Sequence, residues 1–164
     1  MDNFGVWKLQ LCLVSNRLLA ISGKTGMKCC GVEITGSEVI LVSIEKLEDG
    51  SFTIIPSRST RIVLHDSSDQ GSVRSFYAAI SAFVKNHGVT DFAVRGRNTK
   101  GEFAGGAMTF KIEGLIQIVD GCSTLILHPT TIAASKRKHG FEVPKGAFKY
   151  QANAFQAACC FMLK

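Results

Sequence analysis

Hydrophobic and polar positions follow two different periods along this chain. From Lys28 the pattern is strand-like: KCCGVEI, a turn at Thr35-Gly36-Ser37, then EVILVSIE with its β-branched residues. Leu47-Glu48-Asp49-Gly50 supplies the next turn. FTIIP followed by TRIVLH predicts a third strand interrupted near Pro56, where a proline cannot donate to a ladder. The period then lengthens. Val73, Phe76, Tyr77, Ile80, Phe83 and Val84 recur at helical spacing, behind the candidate caps Ser67, Ser68 and Asp69 and ahead of a stop at Gly88. TDFAV predicts a short buried strand. Met108, Ile112, Leu115, Ile116 and Val119 form a second helical stripe, STLIL a further buried strand, and Pro129-Thr130-Thr131 opens a short helix ending in SKRKHG. A last helix is predicted to carry Phe148, Ala152, Phe155, Cys159 and Met162 on one face.

The order β-β-β-α-β-α-β-α-α implies an α/β fold. Three strands form an antiparallel meander, and crossover helices then bring in a fourth and a fifth strand by parallel pairing. A mixed five-stranded sheet with helices on its faces satisfies this order. No linker or internal repeat divides the segment 27–164, which reads as one domain. Residues 1–26 read as an N-terminal extension, with Met27 as an alternative start of the functional chain because the first clear strand follows it at once. Asn16 and Arg17 interrupt the apolar part of this extension, and Asp2 stands where a signal peptide carries positive charge, so secretion is not expected. GKT at 23–25 is similar to the end of a phosphate-binding P-loop, but the earlier glycine would fall at Leu18 and a strand follows where that motif needs a helix.

Composition changes this picture little; charge changes it more. With 46% hydrophobic and 20% charged residues the chain is globular, and its apolar runs are too short for a membrane helix. The net charge of +6 is unevenly placed. Residues 1–94 hold nine Lys/Arg and nine Asp/Glu; residues 95–164 hold ten Lys/Arg and four Asp/Glu. An excess confined to one part of the chain suggests an anionic partner, nucleic acid or another polyanion, since Lys and Arg contacts to phosphate supply most sequence-independent affinity. A solvated basic surface is the alternative. The six cysteines include two adjacent pairs and no C-x-x-C. They lie mostly in apolar runs, where a free thiol behaves as a small hydrophobe, and one sulfur of each pair is expected to face inward. A reducing cytoplasm fits this usage, with no membrane association.

The stretch RGRNTKGEFAGGAMTF, residues 95–110, looks most like a site. Gly96, Gly101, Gly105 and Gly106 allow positive φ and close backbone approach, and the amides at the start of the following helix suit an anion. Arg95, Arg97 and Lys100 add charge, and Phe103 serves either as a stacking ring or as an anchor in the core. A structural turn is the competing reading. A second basic group comprises Lys136, Arg137 and Lys138, with His139 beside them and Lys145 and Lys149 following. Glu33, between Val32 and Ile34, is an acid in a buried strand and needs a partner: either a metal ion or an arginine, Arg95 or Arg97, from the neighbouring strand.

The element order resembles the RNase H-like fold, and GVEITG (Gly31 to Gly36) is similar to the first-strand pattern of its RuvC branch of Holliday-junction resolvases. HPTTIAASKRKHG resembles the region after that family's fifth strand. KCCGVE, TKGEFAGGAMTFKIEGLIQ and PTTI also resemble a small bacterial family of unknown function. The RuvC resemblance implies a nuclease using two divalent ions, Mg²⁺ or Mn²⁺, held by acids from the first strand, the end of the fourth and the last helix. Glu33 matches the first of these positions. At the second stand Arg95 and Arg97, and the last helix offers Gln151 and Asn153; Glu102 and Glu113 are the acids left to substitute. Two expectations follow. One is an RNase H-like domain that binds nucleic acid or another polyanion through Arg95, Arg97, Lys100, Gly105, Gly106 and the 136–149 cations, around a degenerate nuclease site. The other is a metal-dependent nuclease with Glu33 as catalytic ligand. If the fold is right, the fourth-strand loop and the 136–149 segment lie at one sheet end and form one basic surface.

Overall fold

The computed structural model describes residues 28–97 and 106–164. Strands β1 (Lys28–Thr35) and β2 (Glu38–Lys46) form an antiparallel hairpin, turned by Gly36 at φ 60°. The interruption expected near Pro56 divides the third strand into β3 (Phe52–Ile54) and β4 (Arg61–Val63). Both pair antiparallel with β2, β3 along Ile44–Lys46 and β4 along Glu38–Ile40, so the sheet has six strands among the described residues instead of five.

Helix α1 (Gln70–His87) then crosses over to β5 (Asp91–Arg95), which pairs parallel with β1. Asp69 Oδ2 accepts from the Ser72 amide at 2.6 Å, and Gly88 ends the helix in the left-handed region at φ 61°. Helix α2 (Ala107–Gln117) leads to β6 (Ser123–Leu127), parallel to β5. Helix α3 (Pro129–His139), a single 3-10 turn (Lys149–Gln151) and α4 (Ala152–Met162) complete the chain. The main path of the sheet is β3-β2-β1-β5-β6.

The pleat sorts the core into two layers. Cys30, Val32, Ile34, Phe92 and Val94 face α1 and α2, against Phe76, Ile80, Phe83, Ile112 and Ile116. Cys29, Ile40, Val42, Ala93 and Leu127 face the other way, against Ile132 of α3 and Phe155, Ala158 and Cys159 of α4. Both members of each cysteine pair are buried, not one: Cys29 and Cys30 face the two helix-covered sides of the sheet, and Cys159 and Cys160 lie on α4, which packs against the sheet and beside α3. Burial raises the thiols of Cys29, Cys30 and Cys159, the last two to about 12. Phe148 also departs from expectation. It precedes α4 and is 63% exposed. No helix among the described residues is long and apolar enough to cross a membrane.

Candidate nucleic-acid interface

Glu33 lies near the C-terminal end of β1, opposite Ile40 of β2 and one residue beyond the Val32–Val94 pairing with β5. It shares the parity of Cys29 and Gly31, so its carboxylate points toward α4. Only 7% of the residue is exposed. Two donors meet one of its oxygens: Asn153 Nδ2 donates to Oε1 at 2.8 Å, and Arg95 Nη1 donates to the same atom at 3.3 Å. The neighbouring-arginine reading of Glu33 is therefore the one that the geometry realises, with Arg95 in that role.

Gly31 brings the third member into reach. A Cβ there would stand 1.8 Å from the Ala154 carbonyl oxygen, so α4 packs directly on the β1 backbone and Asn153 reaches Glu33. Gly96 is constrained sterically: a Cβ would lie 2.9 Å from Ile126 Cγ2 and 3.3 Å from the Leu127 oxygen. Gly106, the N-cap of α2, has φ −70°. Gly96 and Gly106 thus do not serve the positive φ expected of them. Lys100 and Gly105 lie outside the described residues, as do Gly101, Glu102 and Phe103. Arg97 is half-buried, and its Nε has no hydrogen-bond partner among the described residues.

The two basic groups separate instead of merging. Arg95 pairs in register with Leu127, and α3 starts two residues later at the same sheet end. At its other end, His139 and Gly140 line a cavity with Asp49, Gly50 and Ser51 of the turn after β2, which closes the opposite sheet end. Lys136, Arg137 and Lys138, all exposed, thus stand seven to nine residues into α3 from its start beside Arg95, roughly 10–14 Å along the helix. Lys145 is exposed on the returning segment, and Lys149, also exposed, is back at the Glu33 end, four residues before Asn153.

Beside Lys149 is an arrangement that the residue pattern alone does not single out. Tyr150 stacks with Phe148 at 5.4 Å between centroids and 10° between planes. The Arg61 guanidinium lies 5.0 Å from the Tyr150 ring centre and pairs with Glu38 at 2.6 Å. The signal is present as FKY, aromatics alternating with a cation, but Phe148 also fits the helical spacing of Ala152 and Phe155, and that stripe claims it.

The described residues around Glu33 do not fit a divalent-metal centre. Arg95 and Asn153 present donors to Glu33 where a metal would require acceptors, and no group of three or more His, Cys, Asp or Glu that could hold an ion occurs among the described residues. Glu113 cannot complete one, since α2 packs on the opposite face of the sheet from Glu33.

Comparison with known proteins agrees with this architecture. The sequence model of a family described as "Protein of unknown function (DUF3010)" matches residues 27–161. No curated protein sequence matches the chain. Among solved structures, Thermus thermophilus RuvC superposes with a TM-score of 0.63 at 11% identity, over 82% of this chain and 92% of that one. The same protein in complex with a Holliday junction substrate gives 0.61 at 12% identity, with the same coverage. The Fowlpox virus resolvase in complex with substrate Holliday junction DNA gives 0.51 at 10% identity, over 84% and 97%. At these identities the likeness shows a shared fold, RNase H-like of the RuvC type.

Proposed function

Because the chain belongs to the DUF3010 family of proteins of unknown function, its role has to be argued from its site, and we propose that it binds nucleic acid on an RNase H-like scaffold whose nuclease centre is degenerate. The observation that carries this reading is the shared oxygen of Glu33, which accepts from Arg95 and Asn153. A two-metal nuclease concentrates negative charge at this place to hold its cations and align water. This chain puts a guanidinium and an amide there. A carboxylate held by two donors positions strand and helix; it does not gather metal.

Binding is supported by the charge excess after Arg95 and by the Holliday junction DNA seen with two neighbours of the same fold. Arg97 and Lys149 supply phosphate contacts at the Glu33 end, and Lys100, three residues further along the chain than Arg97, adds to the charge. Lys136, Arg137 and Lys138 supply a second patch along α3, with Lys145 on the segment that returns from it. The test is fluorescence anisotropy with labelled single strands, duplex and four-way junctions across a salt series. Affinity should fall linearly with log salt. Absence of binding at low salt, or binding indifferent to salt, would end the proposal. Incubation of the same substrates with Mg²⁺ or Mn²⁺ should leave them intact; cleavage that disappears in Glu33→Gln would establish the nuclease reading instead.

A further inference from the structure

We infer that Phe148 and Tyr150, with Lys149 and Arg61, form a stacking platform for an unpaired nucleobase, so that the protein favours single-stranded or branched nucleic acid over continuous duplex. The inference rests on the nucleic-acid reading above and adds what part of the ligand this surface takes.

Phe148 is 63% exposed, yet its backbone is fixed. Its amide donates to Gln151 Oε1 at 3.0 Å and its carbonyl accepts from the Gln151 amide at 2.9 Å, while Gln151 itself is buried. The ring is therefore an aromatic face presented to water on a rigid turn. Tyr150 continues it as a second, nearly parallel ring, and Tyr150 is held in turn by the Arg61 guanidinium and by its hydroxyl, 3.3 Å from Thr60 Oγ1. A flat face already stacked on one side is suited to a second flat partner on the other.

The charges around the rings favour a base over an apolar protein side chain. Lys149, exposed between the two aromatics, can reach a phosphate of the strand that carries the base. Glu38 neutralises Arg61, leaving that guanidinium to orient Tyr150 more than to attract phosphate. The platform also sits at the Glu33 end of the molecule, four residues before the start of α4, and there a strand held by Arg97 would pass. Duplex cannot use such a ring without opening, because its bases are already stacked on one another.

The test compares wild type, Phe148→Ala and Phe148→Trp for binding to a labelled oligothymidylate of about 12 nucleotides and to a blunt duplex of the same length. The exposed position makes all three chains foldable, which circular dichroism verifies. Phe148→Ala should weaken single-strand binding about 5- to 150-fold, the loss of one stacked base, and change duplex binding less than about twofold. Phe148→Trp should keep or raise single-strand affinity. Equal effects on both ligands, or none, would overturn the platform while leaving nucleic-acid binding intact. Failure of the wild type to bind either ligand would remove the broader reading and this one with it. Self-association of the wild type that is lost in Phe148→Ala would assign the ring to a second copy of the chain and overturn the inference.

Discussion

The missing side chain at Gly31 decides how near α4 comes to β1, and through that approach it decides what Glu33 touches. Alanine at this position would place a methyl group 1.8 Å from a backbone oxygen that has no rotamer by which to retreat. Gly31→Ala is therefore expected to cost about 1–3 kcal/mol, the range for overpacking a filled interior, and to lower the urea midpoint without changing the slope. A second prediction concerns the partners of Glu33. Arg95→Ala leaves a carboxylate, only 10% exposed in its side chain, with Asn153 as its described partner. Glu33→Gln removes the charge but keeps the shape. Arg95→Ala should thus destabilise more than Glu33→Gln. A double-mutant cycle should return about 1–2 kcal/mol of coupling, held below a fully buried pair because the Arg95 side chain is 29% exposed. A coupling near zero would mean that the 3.3 Å approach is incidental.

At the level of elements, the sequence carried most of the fold because each boundary has a local cause. Asp69 and Gly88 bracket α1 through a side-chain cap and a left-handed residue, and Pro56 breaks the third strand for want of an amide proton. The exceptions are places where packing overrides a local pattern. Phe148 has the spacing of a helix face, yet the chain makes a 3-10 turn there and α4 begins at Ala152. Each cysteine pair reads as split between core and surface, yet helices on both sides of the sheet bury Cys29 and Cys30, and α4 is itself enclosed between the sheet and α3, which buries Cys159 and Cys160. That burial has a measurable consequence. The folded protein keeps protons on Cys30 and Cys159 up to about 12, whereas an unfolded thiol gives its proton up near 9.0. Between these values the unfolded state binds fewer protons, so stability should fall as pH rises through that window and be indifferent to these thiols below it. Alkylation by iodoacetamide at about pH 8 should be slow for the native protein and fast after denaturation, because the thiolate is the reactive form; rapid native modification of Cys30 or Cys159, read by mass spectrometry, would contradict this.

Across the whole molecule, the charge asymmetry was legible in the chain but its geometry was not, because the run of cations after Ser135 gives no sign of which sheet end it reaches. The parallel β5-β6 pairing starts α3 beside Arg95 and carries Lys136, Arg137 and Lys138 away to the end closed by the β2-β3 turn. Two patches roughly 10–14 Å apart along α3 can act together only on a ligand long enough to touch both. A duplex of about 16 base pairs spans that distance several times over at 3.4 Å per pair, whereas a hairpin stem of about three pairs, near 10 Å, occupies one end at a time. The wild-type dependence of log affinity on log salt should accordingly be steeper for the long duplex. Replacing Lys136, Arg137 and Lys138 together by alanine should reduce the long-duplex slope by roughly 2–3, about 0.9 for each phosphate no longer neutralised, and bring it toward the hairpin value. The substitutions fall on exposed positions, so folding should be preserved. Equal wild-type slopes for the two ligands would show that the α3 patch takes no part, and the interface would then be confined to the Glu33 end.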